Sequence, residues 1–471
     1  MSSRSNILSS LRRNPFAGVT GLVNQNLKVM TSSFLLTLPL EVLTEILVCL
    51  DWTSILQVRQ TCSFFRAVFQ QHSILTTLVT TYTKSLFDAP RLDAPYYMYT
   101  AEALEKYLLR RLSLKKAWES LTPAVRTADC DVNLHLFRLL PGGRWLLTAQ
   151  RSGQVAIYDL DSPGVAGTII IPADPVLVEL RLMSTEIDRK SEYLSFRLVL
   201  CPDLQQAVSV PIYEVSLSSF PTISWTCYEL RRVTATMTGV PTSISIKGGI
   251  VAIGIRKTVN QVFTKDFVHL FNWQAWNPPV TPQVFIPVDV HWGPLIRVNL
   301  LSESKIIIFT QEVIALHDIP PIDGGDGVTQ RPVWNVATPF KMDGEGISQP
   351  FICKDNMHFT LRVGSSVYGF VISEIDTTPG TLLNLFMFPF LRYEDIMCLG
   401  HHRAFARTSD LDVVTIDFNC DGVVTAKAIA RRGTKVSWCP LETCMDEESG
   451  RVVVCMRGKL TIYDFTYPQY L

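Results

Sequence analysis

The chain is poor in the features that announce catalysis, membrane insertion or export. No Asn-x-Ser/Thr acceptor occurs in its 471 residues, and its 11 cysteines are scattered without a paired framework. Both absences argue against a disulfide-stapled secreted protein and suit a reducing compartment, so a cytoplasmic or nuclear location is expected. Charge of one sign is not in excess either, since Lys plus Arg and Asp plus Glu each number 43. A balanced chain has no global field to draw in nucleic acid or an anionic membrane, and neither is expected as a partner. No apolar run approaches the roughly twenty residues of a membrane-spanning helix, because Pro39, Glu41 and Glu45 interrupt the most apolar stretch, Leu35 to Leu50. Acidic residues are missing altogether before Glu41, while Arg4, Arg12, Arg13 and Lys28 are present. That bias superficially suits a transit peptide, but Pro15, Gly18 and Gly21 break any helix there, and residues 1–33 are expected to be a flexible leader.

Catalytic and metal signatures are equally scarce. There is no Gly-rich dinucleotide or phosphate loop, no His-Glu-x-x-His and no Gly-x-Ser-x-Gly. His401 and His402 lie near Asp410 and Asp412, yet adjacent strand residues point to opposite faces, so a turn or packing role is expected. Cys439 and Cys444 are too widely spaced for a zinc knuckle and read as unliganded thiols. Asp417, Asn419, Asp421 and Gly422 match the first half of a calcium loop, but its twelfth position is Ala428 instead of a bidentate glutamate. A hairpin turn is the expectation there, and a solvent-exposed connection at Asp323 to Gly327. No cofactor, metal or catalytic residue is expected.

Against this blank background, residues 34–76 stand out. Pro39 and Glu41 suit the start of a helix, one by lacking an N–H that is not needed there, the other by favouring the positive end of the dipole. Val42, Leu43, Ile46, Leu47 and Leu50 then recur at helical spacing. A second helix is expected around Ile55, Leu56 and Val58, and a third after Thr61 as its N-cap, carrying Cys62, Phe65, Val68 and Phe69. A unit of about forty residues with this much apolar surface rarely stands alone.

The order Leu38, Pro39, Glu41, Ile46, Leu47, Leu50, Ile55, Leu56, Val58, Cys62 and Phe65 resembles the F-box, the module by which ubiquitin-ligase receptor subunits grip the Skp-type adaptor of a cullin. The resemblance covers under a tenth of the chain, and Trp52 in the turn is unusual for it. It implies an adaptor-facing surface formed or supported by Leu38, Pro39, Glu41, Val42, Ile46, Leu47, Leu56, Val58 and Cys62. It implies a cullin as the indirect partner and a protein substrate held elsewhere in the chain. A patch of that kind suits an ordinary interface of roughly 800 Å² per partner.

Residues 77–125 read as a helical linker, with a turn over Ala89 to Pro95 and a helix from Tyr97 to Leu121. Its apolar side carries Leu104, Tyr107, Leu108, Leu112 and Leu114, and its solvated side Glu102, Lys106, Arg110 and Lys115. From residue 126 to 471 the pattern changes to period-two alternation with frequent Gly, Pro and Asp turns, which is all-β sequence. A strand ending recurs at Asp159, Asp318, Asp417 and Asp464, with Asn272 a weaker copy and a degenerate unit expected near Val371. Asn272 and Asp318 are 46 residues apart, Asp417 and Asp464 are 47, and Asp318 and Asp417 are 99, about twice that. These units resemble eroded WD-type blades, whose Gly-His pair survives only at Gly400-His401. The expected class is therefore multidomain α plus all-β: a three-helix F-box, a helical linker and a β-propeller of about seven blades. Six blades or a pair of β-sandwiches are the alternatives.

The resulting expectation is a non-catalytic substrate-receptor subunit of a cullin-type ubiquitin ligase. A scaffold that binds the adaptor without ubiquitination, and a propeller hydrolase with convergent carboxylates, are the other readings. Arg231-Arg232 and Arg431-Arg432 are candidate contacts for acidic or phosphorylated motifs, against the ordinary reading of solvated turns.

Overall fold

The computed structural model describes residues 38–465 except 51, 86–91, 121–122, 131–133, 163, 176, 178, 204–207, 220–223, 236–238, 260–261, 276–282, 321, 323–330, 343–345, 349, 354–355, 364–365, 374–378, 388–395, 401–402, 407–412, 419–423, 430–441 and 457. It divides into two compact units, residues 1–80 and 81–471.

The first unit is helical. Helix α1 spans Leu40–Val48, α2 Trp52–Thr61, α3 Ser63–Phe69, and α4 begins at His72 and runs to Ser85. Pro39 occupies the N-cap position with φ −54° and ψ 147°, and its carbonyl accepts from the Leu43 amide at 3.1 Å. Proline is acceptable at this point because the N–H it lacks would have no intrahelical acceptor. Leu43, Leu47, Ile55, Val68 and Phe69 are buried. Thr61 is not the cap expected for the third helix. It closes α2, with its hydroxyl donating to the Val58 carbonyl at 2.6 Å, and Cys62 takes the extended N-cap conformation instead. The local hydroxyl-to-carbonyl bond competes with capping, which accounts for the shift by one residue.

Among the described residues, the second unit contains seven four-stranded antiparallel sheets, six of them built from consecutive strands at residues 134–171, 180–235, 240–287, 295–337, 351–387 and 396–429. They are called sheets one to six here. Sheet seven takes three strands from residues 442–464, and its outer edge is supplied by Ala124–Asp129, from the opposite end of the unit. Ala124 pairs with Asp464 and Asp129 with Lys459, so the chain closes on itself before sheet one begins. The first strand of each sheet lies innermost: Leu134–Leu139 contacts the first strands of sheets two and seven, and those of sheets two, three and four contact one another in turn. This is a β-propeller, whose sheets bury their faces only against their neighbours. Between sheets one and two, Leu147, Ile157, Phe196, Leu198 and Val215 form one cluster, with Trp145 set edge-on to Trp225 at 5.0 Å. Phe309 and Phe359 do the same between sheets four and five at 5.2 Å.

Helix α5 spans Ala101–Ser120 and packs on sheet seven. Leu114 and Trp118 join Val452, Val454 and Phe465, and the Trp118 ring stacks on Phe465 at 4.0 Å. The expected solvated side of this helix needs correction at Arg110, whose guanidinium reaches Asp464 at 2.9 Å and Asp161 at 3.2 Å. The helix lies against the ring on more than its leucine stripe, and arginine is long enough to span the gap to buried carboxylates.

Candidate interaction surfaces

In the helical unit, the first helix divides its apolar residues between two faces. Leu43 and Leu47 are buried, whereas Val42 and Ile46, one turn apart, remain 44% and 40% exposed. Leu40 and Phe64 are exposed to a similar degree. Pro39 and Glu41 are exposed, and Leu38, Val58 and Cys62 are half-buried. Of the residues assigned to the adaptor surface, Leu47 is therefore a core residue, because helical spacing turns it inward with Leu43. The Leu56 side chain lies outside the described residues. A flank carrying Val42 and Ile46 beside a carboxylate at the helix N-terminus is chemically suited to a partner with an apolar groove.

In the propeller unit, one end of the ring is held by the chain's own linker. Arg144 stands just before the second strand of sheet one and grips Asp159 with two bonds, at 3.0 and 2.8 Å, while a third reaches Asp93 at 2.9 Å. The Asp93 carbonyl accepts from the Leu194 amide of sheet two at 2.8 Å. Arg451 occupies the corresponding place in sheet seven, opposite Asp464. Both side chains are 1% exposed and lie 2.7 Å apart. Arg451 also reaches Asp161 at 2.8 Å and the Gly143 carbonyl at 2.6 Å. Arg111 donates to the carbonyls of Glu448 and Gly142, and Arg403 lies over the Trp118 ring at 4.8 Å.

The contacts made by residues 93–118 thus fall on turns between first and second strands and on the ends of third strands, in sheets two, one, seven and six. The opposite end of the ring carries the turns between second and third strands. Gly153 and Gly458 occupy two of them with φ of 78°, a left-handed conformation that glycine adopts without a steric penalty.

Charge states at the covered end follow from these neighbours. Burial pushes the Asp161 carboxyl up, but Arg451 and Arg110 outweigh it and hold it well below the usual carboxylate range. Burial raises Asp93, which Arg144 partly opposes. Glu448 is pushed up to about 7 by burial, against the pull of Arg111 and with added repulsion from Asp446 and Glu447.

The remaining candidates separate clearly. Arg231 and Arg232 lie in the outer strand Ser224–Ala235 and are not on a turn. Arg231 donates to the carbonyls of Trp273 and Ala275, neutral acceptors that fix its side chain, and Arg232 pairs with Glu229 at 2.6 Å and Asp174 at 2.7 Å, so the charge of Arg232 is already matched. Cys444 lies half-buried in the strand Glu442–Asp446. Asp417 lies in the strand Val413–Phe418 and Ala428 in Val424–Ile429, which is hairpin geometry rather than the helix flanks of a calcium loop. His401, His402, Asp410, Asp412, Asn419, Asp421, Gly422, Arg431, Arg432, Cys439 and the loop 323–327 lie outside the described residues. Among the described residues, no three His, Cys, Asp or Glu side chains are grouped to share a metal ion, and no helix is long and apolar enough to cross a membrane.

Sequence reasoning missed the arginine and aspartate clasp between strands two and three. The signal was present: Arg144 and Arg451 each stand one strand before an Asp that closes the repeat.

No family model and no curated protein matches the chain. Solved structures similar to it include the β-propeller domain of Cps50 (Swd1) from Myceliophteria thermophila, at 10% identity and a TM-score of 0.45, covering 72% of this chain and 99% of that one. The WD40 domain of SCAP from fission yeast matches at 8% identity and a TM-score of 0.37, covering 71% of this chain and 85% of that one. Likenesses this loose add nothing to the strand pairing and carry no argument about partners.

Proposed function

We propose that this chain is a non-catalytic substrate-receptor subunit of a cullin-type ubiquitin ligase. Its helical unit is an F-box that docks on a Skp-type adaptor, and its WD-type, seven-bladed ring holds a protein substrate. The observation that carries this reading is the exposed pair Val42 and Ile46 on a helix introduced by Leu38-Pro39-x-Glu41. Two aliphatic side chains left in water one turn apart are stabilised by a partner that covers them, at roughly 25 cal/mol per Å² of apolar surface removed from water. Catalysis would be positional: the receptor raises the local concentration of a substrate lysine near a thioester on another protein.

The substrate belongs on the end of the ring away from the linker. Residues 93–118 already occupy turns of four sheets on the near end, while loops on the far end are the usual carriers of specificity. A hydrolase reading has less support, since Asp159 and Asp464 are tied to arginines where their strands end and do not converge at the axis.

The test is co-purification of the intact chain with a Skp-type adaptor, compared with a Val42→Asp, Ile46→Asp double variant. Both positions are exposed, so folding should be little affected. Capture should fall by about tenfold or more, as for loss of an interface's central apolar contacts. Equal capture by the variant overturns the reading.

A further inference from the structure

Three donor side chains, two of them cationic, stand on the strands around the ring axis, and among the described residues no carboxylate pairs with them. Arg138 lies on the innermost strand of sheet one, and Arg297 and Asn299 on the innermost strand of sheet four. Arg138 opposes Leu147, and Asn299 opposes Ile307. The second strands of these sheets are aligned by Trp145 against Asp159 and Lys305 against Asp318, so Arg138 and Asn299 share one height along the axis. Arg297 is two residues away on the same strand, on the same face as Asn299.

The arginines at the linker-covered end, Arg144 and Arg451, each hold carboxylates. Arg138 and Arg297 hold none among the described residues. Arg297 donates to the Ile347 carbonyl, a neutral acceptor. Asn299 is 5% exposed and its Nδ2 has no acceptor among the described residues. Burial lowers both guanidinium pKa values, that of Arg297 to about 10, and Arg138 is itself a cause of the Arg297 shift. Sheets one and four are not neighbours, so two groups that repel each other in this way do so across the axis. Half-buried like charges and a buried, unpartnered amide are costly unless something satisfies them.

We infer that the ring axis holds a small free oxyanion of the phosphate type, bound by Arg138, Arg297 and Asn299. Guanidinium groups present planar paired donors that match phosphate oxygens, and an amide N–H adds a neutral donor from the same strand as Arg297. The ion would tie sheet one to sheet four and act as a structural ligand of the propeller. This inference stands independently of the adaptor reading.

The intact chain, dialysed free of multivalent anions, is titrated with inorganic phosphate by calorimetry, and its unfolding midpoint is followed against sodium chloride at matched ionic strength. Phosphate should bind saturably at one site and raise the midpoint by about 2 °C or more over chloride. Arg138→Gln and Arg297→Gln should each weaken binding by about tenfold or more. Asn299→Asp supplies an internal carboxylate in place of the ion, so it should raise the midpoint in chloride alone and abolish the phosphate response. That variant keeps the test decisive if an arginine variant fails to fold. Absence of saturable phosphate binding, binding undiminished in the arginine variants, or an Asn299→Asp protein that is no more stable in chloride and still responds to phosphate would each overturn the inference.

Discussion

Asp464 shows how much one residue can organise. It is fully buried at the end of its strand and receives Arg451 and Arg110 from two different elements, at 2.7 and 2.9 Å. Removing one member of a buried pair strands the remaining charge, which typically costs about 3–5 kcal/mol. Asp464→Asn should therefore lower stability by an amount of that order in denaturant unfolding, whereas Asp203→Asn, which breaks the pair with the half-exposed Arg181, should cost about 1 kcal/mol or less. Glu448 runs the other way. Its folded pKa of about 7 lies above the ordinary glutamate value, so the folded state loses stability as pH rises between the two. Glu448→Gln should stabilise the protein at pH 8 and make little difference at pH 5, as read by the unfolding midpoint at each pH. Such residues were the least legible in the sequence. Arg110 sits at a position that helical periodicity turns toward solvent, and only the docking of the whole helix converts it into a buried partner.

At the scale of elements, the helices and the strand endings were readable and their junctions less so. The Leu-Pro-x-Glu opening marks α1 within two residues because proline and the helix dipole act locally. Four helices cover residues 40–85 where three were expected by residue 76, because the Thr-rich segment of α4, ILTTLVTTYT, has weak intrinsic helix preference. Strand endings at Asp159, Asn272, Asp318, Asp417 and Asp464 all fall in third strands, and Val371 does as well, since each marks where a strand leaves the ring before turning to the outer edge. Closure was not legible, because pairing between Ala124–Asp129 and Lys459–Asp464 spans more than three hundred residues and leaves no local pattern. It carries a prediction. In any two consecutive strand residues one N–H points into the ladder, so Thr127→Pro with Ala128→Pro removes at least one closing bond. The double variant should lose about 1 kcal/mol or more, the net worth of at least one hydrogen bond, with faster amide exchange in Arg451–Met456 and Lys459–Asp464, while exchange in sheet three should change far less.

The whole molecule combines a small helical unit that leaves aliphatic surface in water with a ring that is closed by its own first strand and capped at one end by its own linker. In the function proposed above, the two units take different partners: an adaptor on the first, a substrate on the uncovered end of the second. The most direct measurement is hydrogen exchange of the intact chain with and without a purified Skp-type adaptor. Slower exchange concentrated in residues 38–65, with the propeller strands unchanged, is the predicted result. Unaltered exchange in that segment at saturating adaptor, or protection confined to the ring, would contradict it.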